Sequence, residues 1–108
     1  MFNRAFFHSM KRDSYFINIS RGKLVDTPAL VRALNEGWIA GAGLDVTDPE
    51  PLPSDHPLWT AGNVLISCHS SGDCPRTPVR QYALFAENVR RYMEGLPLLN
   101  VVDKQRGY

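Results

Sequence analysis

The stretch that decides the fold is Tyr15-Phe16-Ile17-Asn18-Ile19-Ser20-Arg21-Gly22, an apolar run that stops at small polar residues, a cation and a glycine. Aromatic and β-branched residues in succession suit a strand covered on both faces, and the polar stop followed by glycine marks a sharp exit from it. Arg21 then stands just past the carboxyl end of a strand. In open parallel sheets that is the end where ligands bind, and a guanidinium there offers a planar fork of donors to a carboxylate or phosphate. A second reading has the arginine stem covering the sheet edge while its head stays in water.

Working outward, Thr27 is placed to cap a helix and Pro28 to occupy its first position, so a helix is expected over 28–36. Leu30, Val31 and Leu34 form its inward stripe, Arg32 and Glu36 its wet side, and Gly37 its end. A second apolar run predicts a strand over 39–46, with glycines where a neighbour approaches closely and Asp45 near its end. Strand, helix and strand within about thirty residues fit a right-handed crossover between parallel strands. A third strand is expected over 63–67, ending at Cys68-His69-Ser70-Ser71-Gly72. Between the second and third strands, residues 47–62 form a long loop stiffened by four prolines, with Leu58 and Trp59 pinning it to the body.

Residues 2–10 predict a short helix with Phe2, Ala5, Phe6 and Met10 on one face and Asn3 as its cap. A chain that opens on half-buried aromatics reads as cut from something larger. Residues 76–94 predict the longest helix, with Val79, Tyr82, Ala83, Ala86, Val89, Tyr92 and Met93 along one face and Gly95 at its end. The apolar tail at 98–102 calls for a surface to rest on. The expected class is α/β: a partial Rossmann-like parallel sheet, the second half of a doubly wound domain, with flanking helices and a long C-terminal helix.

Composition bounds the function. The 108 residues are 44% hydrophobic and 21% charged, ordinary for one globular domain. A net charge of +1, spread along the chain, supplies no field for nucleic acid or an anionic membrane surface, and neither partner is expected. Cys68 and Cys74 flank a loop rather than forming a disulfide framework, so the default setting is reducing and cytoplasmic. Cys68, His69 and Cys74 match no common zinc spacing, and no metal is expected.

Arg21, Asp48, Glu50 and His69 all lie just beyond strand ends, so a parallel sheet would carry them to one rim. A histidine titrates near neutrality, a carboxylate beside it orients the ring and favours its protonated form, and an arginine holds an anionic substrate. Such a set serves reduction of a carbonyl beside a carboxylate, with hydride brought by a cofactor. Each member also has a plainer role: His69 donating to a loop carbonyl, Glu50 solvated, and Asp45 either capping the next loop or meeting a ligand donor. His8 and His56 are assigned to packing or solvent.

The longer motifs carry a resemblance. Ile17-Asn18-Ile19-Ser20-Arg21-Gly22-Lys23-Leu24-Val25-Asp26, Ala40-Gly41-Ala42-Gly43-Leu44-Asp45-Val46, Glu50-Pro51-Leu52-Pro53, His56-Pro57-Leu58-Trp59 and His69-Ser70-Ser71-Gly72 occur in this order. With them the chain resembles the C-terminal part of a D-isomer-specific 2-hydroxyacid dehydrogenase, the family of phosphoglycerate, D-lactate and glyoxylate/hydroxypyruvate reductases. The resemblance implies that Arg21 binds the substrate carboxylate and carbonyl, that Glu50 partners the histidine, and that His69 gives and takes the proton. It implies nicotinamide contacts, from NAD or NADP, at Ile19, Ser20, Arg21, Asp45, His69, Ser70, Ser71 and Gly72. It also implies a small 2-keto or 2-hydroxy acid substrate and a homodimer in the intact protein. Glu50 speaks against the formate dehydrogenase branch, expected to carry glutamine there, and Cys68 departs from the family's common proline.

No Gly-x-Gly-x-x-Gly turn of the kind that cradles pyrophosphate occurs in the 108 residues, nor does a substrate domain. The expectation is therefore that residues 1–108 are the C-terminal half of a nucleotide-binding domain, a dehydrogenase fragment inactive alone. The alternative is a non-catalytic remnant that pairs its bare sheet edge with itself or a partner.

Overall fold

A computed structural model of the chain describes residues 1–107. They form two compact bodies, residues 1–72 and the residues from Asp73 onward. The first holds a parallel sheet of β1 (Tyr15–Asn18), β2 (Gly41–Leu44) and β3 (Val64–Ile66), in that spatial order. Phe16 is level with Ala42, and Ala42 with Val64. The mixed α/β class and parallel sheet read from the sequence are those observed.

The strands are shorter than the apolar runs that predict them. Trp38–Ala40 belong to the bend leaving the second helix, where Trp38 N–H donates to the Ala33 carbonyl and Ala40 N–H to that of Ser14. β2 then begins at Gly41, where a Cβ would lie 2.5 Å from the Asn63 carbonyl oxygen and 2.9 Å from the Tyr15 ring. Small residues in the central strand let its neighbours close in.

Covering on both faces is not what β1 shows. Phe16 and Asn18 turn inward, while Tyr15 and Ile17 are 61% and 63% exposed, and Leu65 of β3 is 72% exposed. Side chains alternate along a strand, and only the face toward the first two helices is packed. That face meets a core of Phe7, Phe16, Leu30, Ala33, Leu44 and Leu58, each at most 5% exposed.

Helix α1 (Arg4–Ser9) is capped by the Asn3 side chain, which accepts the Phe6 N–H at 3.1 Å. Phe2 lies outside the helix, in a parallel bridge to Val25, and Phe7 rather than Ala5 is the buried residue. Its ring meets Phe16 edge to face at 5.2 Å, with Phe2 and Phe6 completing the aromatic cluster. Helix α2 (Thr27–Asn35) starts one residue earlier than expected, and its cap is Asp26, which accepts the Ala29 N–H at 3.1 Å. Thr27 is thereby inside the helix, and its hydroxyl donates to the Asp48 carbonyl at 3.3 Å, tethering the proline-rich loop. Leu30, Ala33 and Leu34 face inward, Val31 is half-buried, and Gly37 leaves the helix at φ +67°.

In the loop at 47–62, Leu58 is buried but Trp59 is 52% exposed. The Trp59 indole N–H donates to the Pro53 carbonyl at 2.7 Å, so it fastens the loop to itself. His56 caps the short turn Pro57–Trp59 by accepting the Leu58 N–H, and His8 stacks on Trp38 at 3.6 Å.

In the second body, α3 (Thr77–Met93) has the expected apolar stripe, but none of its residues is buried. Glu87 accepts from Arg90 and Arg91 at 2.8 Å each, and these guanidinium groups, Arg90 foremost, pull its carboxyl down to about 2. The tail is tied to this helix by Asn88, whose side chain donates to the Leu99 carbonyl and accepts the Leu99 N–H. Among the described residues no helix is long and apolar enough to cross a membrane.

Candidate functional site

The carboxyl ends of the three strands supply the candidate residues. At the end of β1, Asn18 is buried and its amide bonds in both directions: Oδ1 accepts the Ser20 N–H and Nδ2 donates to the Arg21 carbonyl, each at 3.1 Å. The turn it holds carries Ile19, Ser20 and Arg21 into solvent. Gly22 follows in a buried position packed so closely on the Thr47 carbonyl that a Cβ there would overlap it. This approach brings the β1 turn beside the start of the proline-rich loop. Arg21, Lys23, Thr47, Asp48, Pro49 and Glu50 line the cleft between them, about 690 Å³ in volume.

Past the end of β2, Asp45 is buried and accepts three hydrogen bonds, from the Ser67 hydroxyl at 2.6 Å and from the Ser70 and Ser71 N–H groups at 2.9 Å each. The Ser67 hydroxyl, then Ser71, hold its carboxyl well below the usual carboxylate range, against the opposing effect of burial. Of the two readings of Asp45, the structure displays the cap: its oxygens hold the loop after β3. Its own N–H donates to the Asn18 carbonyl at 2.9 Å, joining the two strand ends.

Past β3, His69 takes φ +56°, and its Nδ1 lies 2.9 Å from Glu50 Oε1, with both side chains partly exposed. A carboxylate only accepts, so Nδ1 carries the hydrogen and donates it, which leaves Nε2 for exchange with a ligand. Two peptide bonds of this segment, Asp48–Pro49 and Glu50–Pro51, are cis.

The fold thus brings Glu50 to His69, and Arg21 to the cleft that Glu50 and Asp48 border. The Arg21 guanidinium itself donates to the Ser20 carbonyl at 2.7 Å, next to its own position in the chain. Ser70 and Ser71 spend their N–H groups on Asp45, the Ser71 side chain bonds the same carboxylate, and the Ser70 hydroxyl accepts from the Cys68 thiol at 3.8 Å. Ile19, 63% exposed at a strand end, offers an apolar surface suited to a flat heteroaromatic ring. Asn18 and Ser67 were not among the residues expected at the site. The signal for Asn18 was present, since an amide closing an apolar strand must find both a donor and an acceptor.

Residues 1–71 match the family model described as "D-isomer specific 2-hydroxyacid dehydrogenase, NAD binding domain". The chain is 46% identical over 96 residues to the glyoxylate reductase/hydroxypyruvate reductase of Homo sapiens, covering 89% of this chain and 29% of that protein. It is 44% identical over 96 residues to the glyoxylate reductase of Korarchaeum cryptofilum, with the same shares covered. The chain spans about a third of the length of the curated relatives it matches. Among solved structures, a D-isomer specific 2-hydroxyacid dehydrogenase from Xanthobacter autotrophicus Py2, in complex with NADPH and MES, superposes with a TM-score of 0.82 at 45% identity, over 98% of this chain and 43% of that one. An NADPH-dependent glyoxylate/hydroxypyruvate reductase from Sinorhizobium meliloti, in complex with NADP and sulfate, gives 0.85 at 33% identity, over 99% of this chain and 35% of that one.

Proposed function

This chain belongs to the D-isomer specific 2-hydroxyacid dehydrogenase family, and on that premise we propose that it supplies the substrate-binding arginine and the acid–base pair of an NAD(P)-dependent reductase. The reaction interconverts a 2-keto acid and its D-2-hydroxy acid, with glyoxylate and hydroxypyruvate the first substrates to try. The observation that carries the reading is the 2.9 Å contact between Glu50 and His69 at the rim that Arg21 shares.

In this reading Arg21 grips the substrate carboxylate with its planar fork and fixes the neighbouring carbonyl. Glu50 holds the imidazole by Nδ1, and His69 delivers a proton from Nε2 to the carbonyl oxygen as negative charge gathers there. A nicotinamide cofactor, NAD or NADP, supplies the hydride when bound. Ile19, Ser20, Asp45 and the loop from His69 to Gly72 are the residues of this chain assigned to its nicotinamide end. Ile19 brings an exposed apolar side chain beside the exposed Ser20, and Asp45 acts by holding the loop after β3 in place. The chain is the C-terminal half of the nucleotide-binding domain, and the intact protein is a homodimer.

The test is reduction of glyoxylate or hydroxypyruvate, followed as NADH or NADPH oxidation, by the protein expressed from its own gene. Changing His69→Gln removes the proton donor and lowers kcat by roughly 10²- to 10⁴-fold. Full activity in that variant would remove His69 from the reaction. The exposed outer sheet face of Tyr15, Ile17 and Leu65 favours a second reading, a non-catalytic module that binds another chain. A stable associated species that binds neither NADH nor NADPH would select it.

A further inference from the structure

The described residues include three buried polar side chains, and each is committed to a segment at the site. Thr27 tethers the proline-rich loop and Asp45 holds the loop bearing His69. Asn18 grips the turn that bears Arg21. We infer that Asn18 is a positioning residue for substrate binding: its buried amide fixes the backbone at Ser20 and Arg21 so that the guanidinium meets the carboxylate of a 2-keto acid. This rests on the reading of Arg21 as the substrate-binding residue.

The chemistry singles out an amide. The position must accept from one N–H and donate to one carbonyl, two and three residues further along the chain, without access to water. Asparagine does both with one planar group. Aspartate has the same shape but turns an oxygen toward the Arg21 carbonyl, and alanine removes the partner of both groups. The Asn18 main-chain carbonyl also accepts the Asp45 N–H, so the frame holding Arg21 is continuous with the frame holding His69. A guanidinium on a long flexible stem aims well only if its own backbone is fixed.

The experiment compares wild type, Asn18→Asp and Asn18→Ala in the protein expressed from its own gene, with two readouts. The first is the separate KM values for glyoxylate and for NAD(P)H, together with kcat. The second, independent of activity, is hydrogen exchange of the Ser20 amide. The expected result for Asn18→Asp is a glyoxylate KM raised about tenfold or more, the worth of one lost buried hydrogen bond, with the cofactor KM and kcat within about threefold. The expected result for Asn18→Ala is Ser20 exchange faster by about tenfold. Unchanged Ser20 exchange overturns the inference, as does an active enzyme whose glyoxylate and cofactor KM values rise together, and both outcomes leave the reading of Arg21 standing. A wild type that reduces no 2-keto acid, with faster Ser20 exchange in Asn18→Ala, overturns that reading and takes the substrate role of Asn18 with it.

Discussion

The carboxylate of Asp45 accepts the Ser70 N–H at 2.9 Å across twenty-five positions of sequence, and it thereby holds the loop that carries His69 against the end of the central strand. With the bonds from Ser67 and Ser71, this places anchors on both sides of the histidine. The left-handed conformation at His69 is costly for a residue with a Cβ, and it persists because the flanking residues are held.

Replacing Asp45 by asparagine keeps the shape but removes the charge and turns an N–H₂ toward a donor. Exchange of the Ser70 and Ser71 amides should accelerate by at least about tenfold, while amides in α3 keep their rates. Unchanged exchange at both serines would show that the loop stands without Asp45.

The same group sets a pH dependence. The Asp45 carboxyl titrates below its unfolded value, so its contribution to stability is complete above the ordinary carboxylate range and is lost as pH falls through the folded value. Unfolding free energy from denaturant titrations should therefore separate wild type from Asp45→Asn above about pH 5, with the gap narrowing below about pH 4. A gap that widens on acidification would reverse the assignment.

Gly22 sits where any side chain meets the Thr47 main chain, which cannot rotate aside. Gly22→Ala should cost about 1–3 kcal/mol and disturb both Arg21 and the loop bearing Glu50. By contrast, Gly62→Ala adds a Cβ with nothing within 4 Å and should fall within about 0.5 kcal/mol of wild type. Thermal melts of the two variants check the contrast.

Arg21→Lys keeps the charge and loses the fork. If the guanidinium binds a carboxylate with paired bonds, kcat/KM for glyoxylate falls by about ten- to a hundredfold, since a point ammonium cannot reproduce that geometry. Unchanged kinetics would remove Arg21 from the site.

Much of this was legible in the residues themselves. The apolar runs stopping at Arg21, Asp45 and His69 placed three parallel strands with chemistry at their ends, because strand patterns and turn residues are local signals. The rim set both Asp48 and Glu50 near His69, and it was the family resemblance that implied Glu50 as the partner. What could not be read was which face of β1 would be packed, since Tyr15, Phe16 and Ile17 are alike in hydrophobicity and only their neighbours distinguish them. Nor could the α2 cap be read, because Asp26 and Thr27 are both good caps and the point of helix entry decides between them.

The sequence by itself determined the class of fold, the order of its elements and the family, through periodicity and long ordered motifs. Tertiary structure decided how the polar residues divide their work. Asp45 turned inward to hold a loop, Thr27 tethered another, and Asn18 locked the turn beneath Arg21. The reason is that a buried polar group must be satisfied by whatever donors and acceptors the folded chain brings within about 3 Å, and those partners lie at distances along the sequence that no local pattern encodes.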